Sequence, residues 1–149
     1  MTSSHELLIV DDNPADVLLA REALEVCAYR GQITSVGDGA EALAYLSRRG
    51  NYGNAIQPDL VLLDLNLPKR DGLAVLAAMK ASPDLRRIPV VIFSTSQLSQ
   101  DIARSYELGA NCYVSKPGNL TDFFSMMKSI EQFWFGSVCL PPRGEQTTQ

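Results

Sequence analysis

The chain has 149 residues, enough for one domain with a proper core and too few for a second of ordinary size. Hydrophobic residues make up 46% and charged residues 20%, a globular composition that excludes the disordered and fibrous classes. Thirteen Lys and Arg against seventeen Asp and Glu give a net charge of −4, and the basic residues are scattered, so nucleic acid is not an expected partner.

The opening MTSSHELLIV has no basic n-region, and its apolar run is too short for a signal peptide. No stretch reaches membrane-spanning length, so no membrane partner is expected and the chain reads as cytoplasmic. His5, the single histidine, falls in this polar lead-in and reads as solvated. Cys27, Cys112 and Cys139 are odd in number and far apart, with no C-x-x-C pair, which argues against a disulfide framework or a zinc site.

The first strand is Leu7 to Val10. Asn13 followed by Pro14 reads as a cap with proline at the first helical position, opening a helix from about Pro14 to Cys27. A second strand, Ile33 to Val36, precedes Asp38 and Glu41, spaced as a capping box for the helix carrying Leu43 and Leu46. Ser47 to Gln57 reads as a loop and Leu60 to Leu63 as the third strand. A helix with Leu73, Leu76 and Met79 should end near Ser82-Pro83, where proline cannot continue the ladder. Val90 to Phe93 is the fourth strand, followed by a helix from Ser99 to Leu108 with Gly109 as its left-handed terminator. Cys112 to Val114 is the fifth strand; Asn119 then caps a last helix carrying Phe123, Phe124, Met127, Ile130 and Trp134. These boundaries give one domain over residues 1–136 and an extended, Pro- and polar-rich tail over 137–149.

Continuous apolar strands alternating with helices predict a doubly wound α/β domain, a five-stranded parallel sheet covered on both faces. In such sheets ligands bind beyond the carboxyl ends of the strands. Asp11-Asp12 follows the first strand, Asp64 the third, Ser94-Thr95 the fourth and Lys116-Pro117 the fifth. Clustered carboxylates repel by several kcal/mol at an effective dielectric of about 20, so a cation is expected among them. Oxygen donors without nearby His or Cys suit Mg²⁺ rather than zinc. Asp38 is adequately explained as a helix cap; Asp11, Asp12 and Asp64 are not. With a metal in place, Asp64 is a plausible nucleophile toward a phosphoryl group, Lys116 a point charge for its oxygens and Ser94 a hydroxyl donor.

These residues, in this order, resemble the receiver domain of two-component response regulators over Leu7 to about Trp134. The resemblance implies the flavodoxin-like strand order 2-1-3-4-5. It makes Asp64 the phosphoacceptor and gives Mg²⁺ (or Mn²⁺) the ligands Asp11, Asp12, Asp64 and the backbone carbonyl of Asn66, with Asp11 acting mainly through water. Lys116 pairs with the phosphoryl group, and Ser94 and Tyr113 form a switch pair. Two departures stand out: Ser94 replaces the commoner Thr, and bulky Thr95 occupies a place where a small residue is usual, leaving Tyr113 less room. Asp11-Asp12-Asn13-Pro14-Ala15-Asp16, Leu65-Asn66-Leu67-Pro68, Phe93-Ser94-Thr95-Ser96 and the ending Phe133-Trp134-Phe135 are similar to stand-alone regulators paired with phytochrome histidine kinases. A phytochrome kinase is then the expected phosphodonor, and the chain is a signalling protein rather than a turnover enzyme. The rival readings are an aspartate-nucleophile phosphohydrolase, disfavoured by Asn66 where a second carboxylate is needed, and a receiver-like module that works without phosphorylation.

No effector domain fits after Gly136, so output should be protein contact. The last helix is richer in apolar residues than one buried face needs, which predicts a homodimer through that helix and the fifth strand, with Phe123, Met127, Ile130, Phe133 and Trp134 at the interface. Lys116→Ala is expected to impair phosphorylation or switching while leaving the fold largely intact.

Overall fold

The computed structural model describes residues 5–143. Five parallel strands, β1 (Glu6–Val10), β2 (Gln32–Val36), β3 (Leu60–Leu63), β4 (Val90–Ser94) and β5 (Cys112–Ser115), lie in the order β2-β1-β3-β4-β5. Five α-helices connect or follow them: α1 (Pro14–Val26), α2 (Gly39–Leu46), α3 (Gly72–Ala81), α4 (Ser99–Glu107) and α5 (Leu120–Glu131). This is the doubly wound, flavodoxin-like arrangement expected, and no described helix is long and apolar enough to cross a membrane.

Alternate side chains of each strand feed opposite layers. Leu8, Val10, Val61, Leu63, Val90 and Ile92 pack with residues of α2 and α3, including Leu43, Leu46, Val75, Leu76 and Met79. Leu7, Ile9, Leu60, Leu62, Val91 and Phe93 pack with Ala20, Ala23 and Leu24 of α1 and Phe123, Met127 and Ile130 of α5. The central strands β1, β3 and β4 are buried along their whole length, which is why they read as unbroken apolar runs, whereas the edge strands β2 and β5 are only partly covered.

Local chemistry fixes where the helices begin. Asn13 Oδ1 accepts from the amides of Ala15 and Asp16, Asp71 caps α3 through the amide of Ala74, and Asn119 caps α5 through that of Asp122. Asp38 caps α2 by accepting from the Glu41 amide at 2.7 Å. The return bond expected of a capping box reaches one residue further back: Glu41 Oε1 accepts from the Gly37 amide and its other oxygen takes the Tyr52 hydroxyl. That hydroxyl bond, with the edge-on contact of Tyr52 on Tyr45, folds a 3₁₀ turn (Gly50–Tyr52) into the segment expected to be a plain loop. Gly109 ends the α4 segment at φ 107°, a left-handed conformation that only glycine adopts freely.

Two expectations change at the far end. The last helix passes into a π-helical turn over Gln132–Ser137, and beyond it Arg143 folds back to bind Asp59 at 2.7 Å, a carboxylate that also accepts the Glu6 amide. His5 is half-buried and stacks on Phe135 with ring centroids 4.8 Å apart, so it is not the freely solvated residue expected. The first four residues of the lead-in and residues 144–149 of the expected tail lie outside the described residues.

The expected interface set also divides. Phe123, Met127 and Ile130 are 3%, 0% and 6% exposed, buried in the chain's own core, and cannot offer their side chains to a partner. A helical pattern gives the width of an apolar stripe but not how much of it the sheet and α1 already cover. Trp134 is partly buried against the same layer, and of the five only Phe133 is widely exposed.

Candidate functional site

Parallel pairing sets the rim. Val10 is in register with Val36 and Leu63, Leu63 with Ile92, and Ser94 with Ser115, so the residues just beyond these strand ends emerge side by side. The backbone continues the ladder into the site: the Asp11 amide donates to the Val36 carbonyl, the Asp64 amide to the Val10 carbonyl, and the Lys116 amide to the Ser94 carbonyl at 2.8 Å. Asp11, Asp12 and Asp64 consequently converge, offering one carboxylate oxygen each with all three within 4.8 Å of one another.

Asp11 and Asp64 are buried and Asp12 is exposed, giving a cleft floor with one wet side. Lys116 lies over the floor with its side chain only 4% exposed. Its Nζ donates to Asp11 Oδ2 at 2.7 Å, Asp16 Oδ2 at 2.8 Å and Asp64 Oδ2 at 3.0 Å. The remaining oxygens of the two buried acids are held by the chain, Asp11 Oδ1 accepting from the Asn13 amide and Asp64 Oδ1 from the Asn66 amide. Burial raises the Asp11 carboxyl above its ordinary value despite the Lys116 hydrogen bond. For Lys116 burial works downward, but hydrogen bonds to Asp11 and Asp16 and the charges of Asp11 and Asp64 outweigh it and push the ammonium up. The lysine is thus charged at neutral pH, as an electrostatic partner of an incoming anion must be.

Gly72 allows this packing. A Cβ there would stand 2.2 Å from the Asp64 carbonyl oxygen and 2.7 Å from Leu65 Cα, so the start of α3 presses directly on the backbone that carries Asp64. Neither Gly72 nor Asp16 received a role in the sequence reading; the position of Asp16 four residues after Asp12, in the first turn of a helix leaving the same rim, was the available signal.

Beside the acids, Ser94 is fully buried, its Oγ accepting from the Ser96 amide. Tyr113 is half-buried against the core, and its hydroxyl donates to the Ser96 carbonyl at 2.8 Å. Ser96 Oγ in turn donates to Asp101 at 2.6 Å, linking the loop after β4 to α4. Thr95, next to Ser94, is exposed. Asn66 is exposed on the loop after β3, on the same rim as Asp64.

The carboxylate trio and the buried lysine thus stand at the carboxyl rim of a doubly wound sheet, the edge at which such folds bind their ligands, and this is the arrangement of a response regulator receiver. The model of the response regulator receiver domain matches residues 7–128, and the chain belongs to that family. It is 47% identical over 135 residues to response regulator Rcp1 of Synechocystis, an alignment covering 91% of this chain and 92% of that protein. Among solved structures, the phosphorylated cyanobacterial phytochrome response regulator RcpA superposes with a TM-score of 0.91 at 48% identity, covering 94% of this chain and all of the other. The Mn²⁺-bound form of Rcp1 gives 0.89 at 46% identity over 93% of this chain and 99% of that one.

Proposed function

We propose that the chain accepts a phosphoryl group on Asp64 from the phosphohistidine of a histidine kinase, of the phytochrome class, and signals by a change in its protein contacts. The observation that carries this reading is the juxtaposition of Asp64 with Asp11, Asp12 and the buried Lys116 ammonium. The Asp64 oxygen forms the new P–O bond while the P–N bond of the donor breaks, and the imidazole nitrogen keeps the electron pair. Lys116 offsets charge on the transferring group, and the Ser94 hydroxyl supplies a further donor.

The donor set fits a hard divalent ion, three carboxylate oxygens with neither His nor Cys among them. Asp11, Asp12 and Asp64, with the Asn66 carbonyl, would hold Mg²⁺ or Mn²⁺. Such an ion supplies Lewis-acid neutralisation of phosphoryl charge. The Mn²⁺-bound form of Rcp1 supports the assignment by likeness. Ser94 and Tyr113 form the switch: an acyl phosphate draws the Ser94 hydroxyl, and the Tyr113–Ser96–Asp101 chain carries the shift to α4. The receiver carries through the π-helical turn to Ser137, with Arg143 pinned back on Asp59; it catalyses no reaction beyond its own phosphorylation and dephosphorylation, and works in the cytoplasm, where ATP-dependent kinases act.

Phosphoryl label should pass from an autophosphorylated phytochrome kinase to this chain in Mg²⁺ and not in excess EDTA; transfer that is indifferent to EDTA, or absent from every histidine kinase and small acyl phosphate offered, contradicts the proposal.

A homodimer through the last helix and β5 completes the reading. β5 is an edge strand, and Leu120 at the start of α5 and Phe133 in the π turn after it are 57% and 55% exposed. Sedimentation at tens of micromolar should give a dimer that Phe133→Ala weakens by about tenfold or more, the scale of an interfacial aromatic anchor. A monomer with and without a phosphate mimic contradicts it.

A further inference from the structure

We infer that Asp16 is a positioning residue that holds the Lys116 ammonium partly outside the carboxylate trio, so that the trio can take a divalent cation. The inference deepens the function proposed above and rests on its metal site. An ammonium has three N–H donors, and Lys116 spends one on each of Asp11, Asp16 and Asp64. Two of these acceptors belong to the trio and Asp16 does not. A divalent ion bound to Asp11, Asp12 and Asp64 must therefore share two carboxylates with a charge of its own sign. Like charges at such separations repel strongly in a partly buried site. The lysine can yield only if another acceptor keeps it.

Asp16 is placed for that task. Its backbone is fixed in the first turn of α1, where its amide donates to the capping Asn13 side chain at 3.2 Å. Its own side chain is 22% exposed, against 6% for Asp11 and 9% for Asp64, so it holds the lysine from the water-facing side of the cluster. It follows the Asp11-Asp12 pair within the same helix start, so the arm that brings two metal-binding carboxylates also brings the acceptor that restrains their competitor. Without Asp16 the ammonium retains Asp11 and Asp64 alone, and an arriving cation has to displace it from both.

Calorimetric titration of MgCl₂ into the full chain tests this through binding rather than phosphorylation. Asp16→Asn should weaken Mg²⁺ binding by roughly tenfold, a coupling of the size seen between contacting charged groups. In a Lys116→Met background the same substitution should weaken it by only about two- to threefold, through the screened charge of Asp16 alone. Asp16→Glu, which keeps the charge and a flexible reach, should recover part of the loss, and urea unfolding of each variant confirms that it is folded. Equal losses in the two backgrounds, or undiminished binding by Asp16→Asn, overturn the role of Asp16 while leaving the metal site intact. Absence of saturable Mg²⁺ binding by the unsubstituted chain overturns the metal site and this inference with it.

Discussion

Lys116→Met should slow phosphorylation by a small acyl phosphate by about 10²- to 10³-fold, the loss that follows removal of one charge-stabilising donor from a transferring group. It should also destabilise the metal-free protein, which the sequence alone did not lead one to expect. The side chain is 4% exposed and serves three carboxylates, so its removal leaves Asp11 and Asp64 buried with no cation against them. Stripping one partner from a buried ion cluster costs on the order of 3 kcal/mol, read as a lower urea midpoint in EDTA. Mg²⁺ at a hundredfold excess over its dissociation constant returns about 2.7 kcal/mol by mass action. The pH dependence has a definite sign. Burial already raises Asp11, and without the lysine it rises further; a carboxyl raised in the folded state favours folding below its unfolded value of about 3.9 and loses that contribution as pH climbs through the folded value. Metal-free Lys116→Met should therefore lose more stability than the unsubstituted chain does as pH rises above about 4. Unchanged labelling kinetics, or a urea midpoint that ignores both Mg²⁺ and pH, would refute this picture of the lysine.

Gly72→Ala should damage the fold and the site together. The new Cβ meets backbone, the Asp64 carbonyl oxygen at 2.2 Å and Leu65 Cα at 2.7 Å, and neither can swing aside as a flexible side chain would. Either α3 is pushed off the sheet or the Asp64 backbone moves. Overpacking of this kind costs about 1–3 kcal/mol, and a displacement of about 1 Å at a reacting group can cost about 10²-fold in rate. Both losses should appear together, in the urea midpoint and in the phosphorylation rate. Ala at Gly37, where an added Cβ meets nothing within 4 Å, serves as the control.

Much of this was legible in the sequence for a definite reason. A parallel sheet projects whatever follows each strand onto one rim, so Asp11, Asp12, Asp64, Ser94 and Lys116 could be placed together from apolar runs and turn residues alone. The caps at Asn13, Asp38 and Asn119 were likewise local, each decided within a few residues. What escaped depends on contacts across the chain. Asp16 meets Lys116 from 100 residues away, and only the strand order and the β5 register bring an acid of the first helix within reach of that ammonium. Gly72 looks like any helix-start glycine until α3 is seated on the Asp64 backbone. The apolar stripe of the last helix showed width without showing cover, which is why Phe123, Met127 and Ile130 belong to the core. The stacking of His5 on Phe135 depends on a π turn that no hydrophobic period announces.

Where the phosphoryl group resides can be read directly. Phosphorylation by a small acyl phosphate in Mg²⁺, borohydride reduction of the resulting mixed anhydride and peptide mass spectrometry should yield one altered carboxyl, Asp64 converted to homoserine, and Asp64→Asn should yield none. Reduction at any other carboxyl of the unsubstituted chain, or an alkali-labile label that survives in Asp64→Asn, would contradict the assignment.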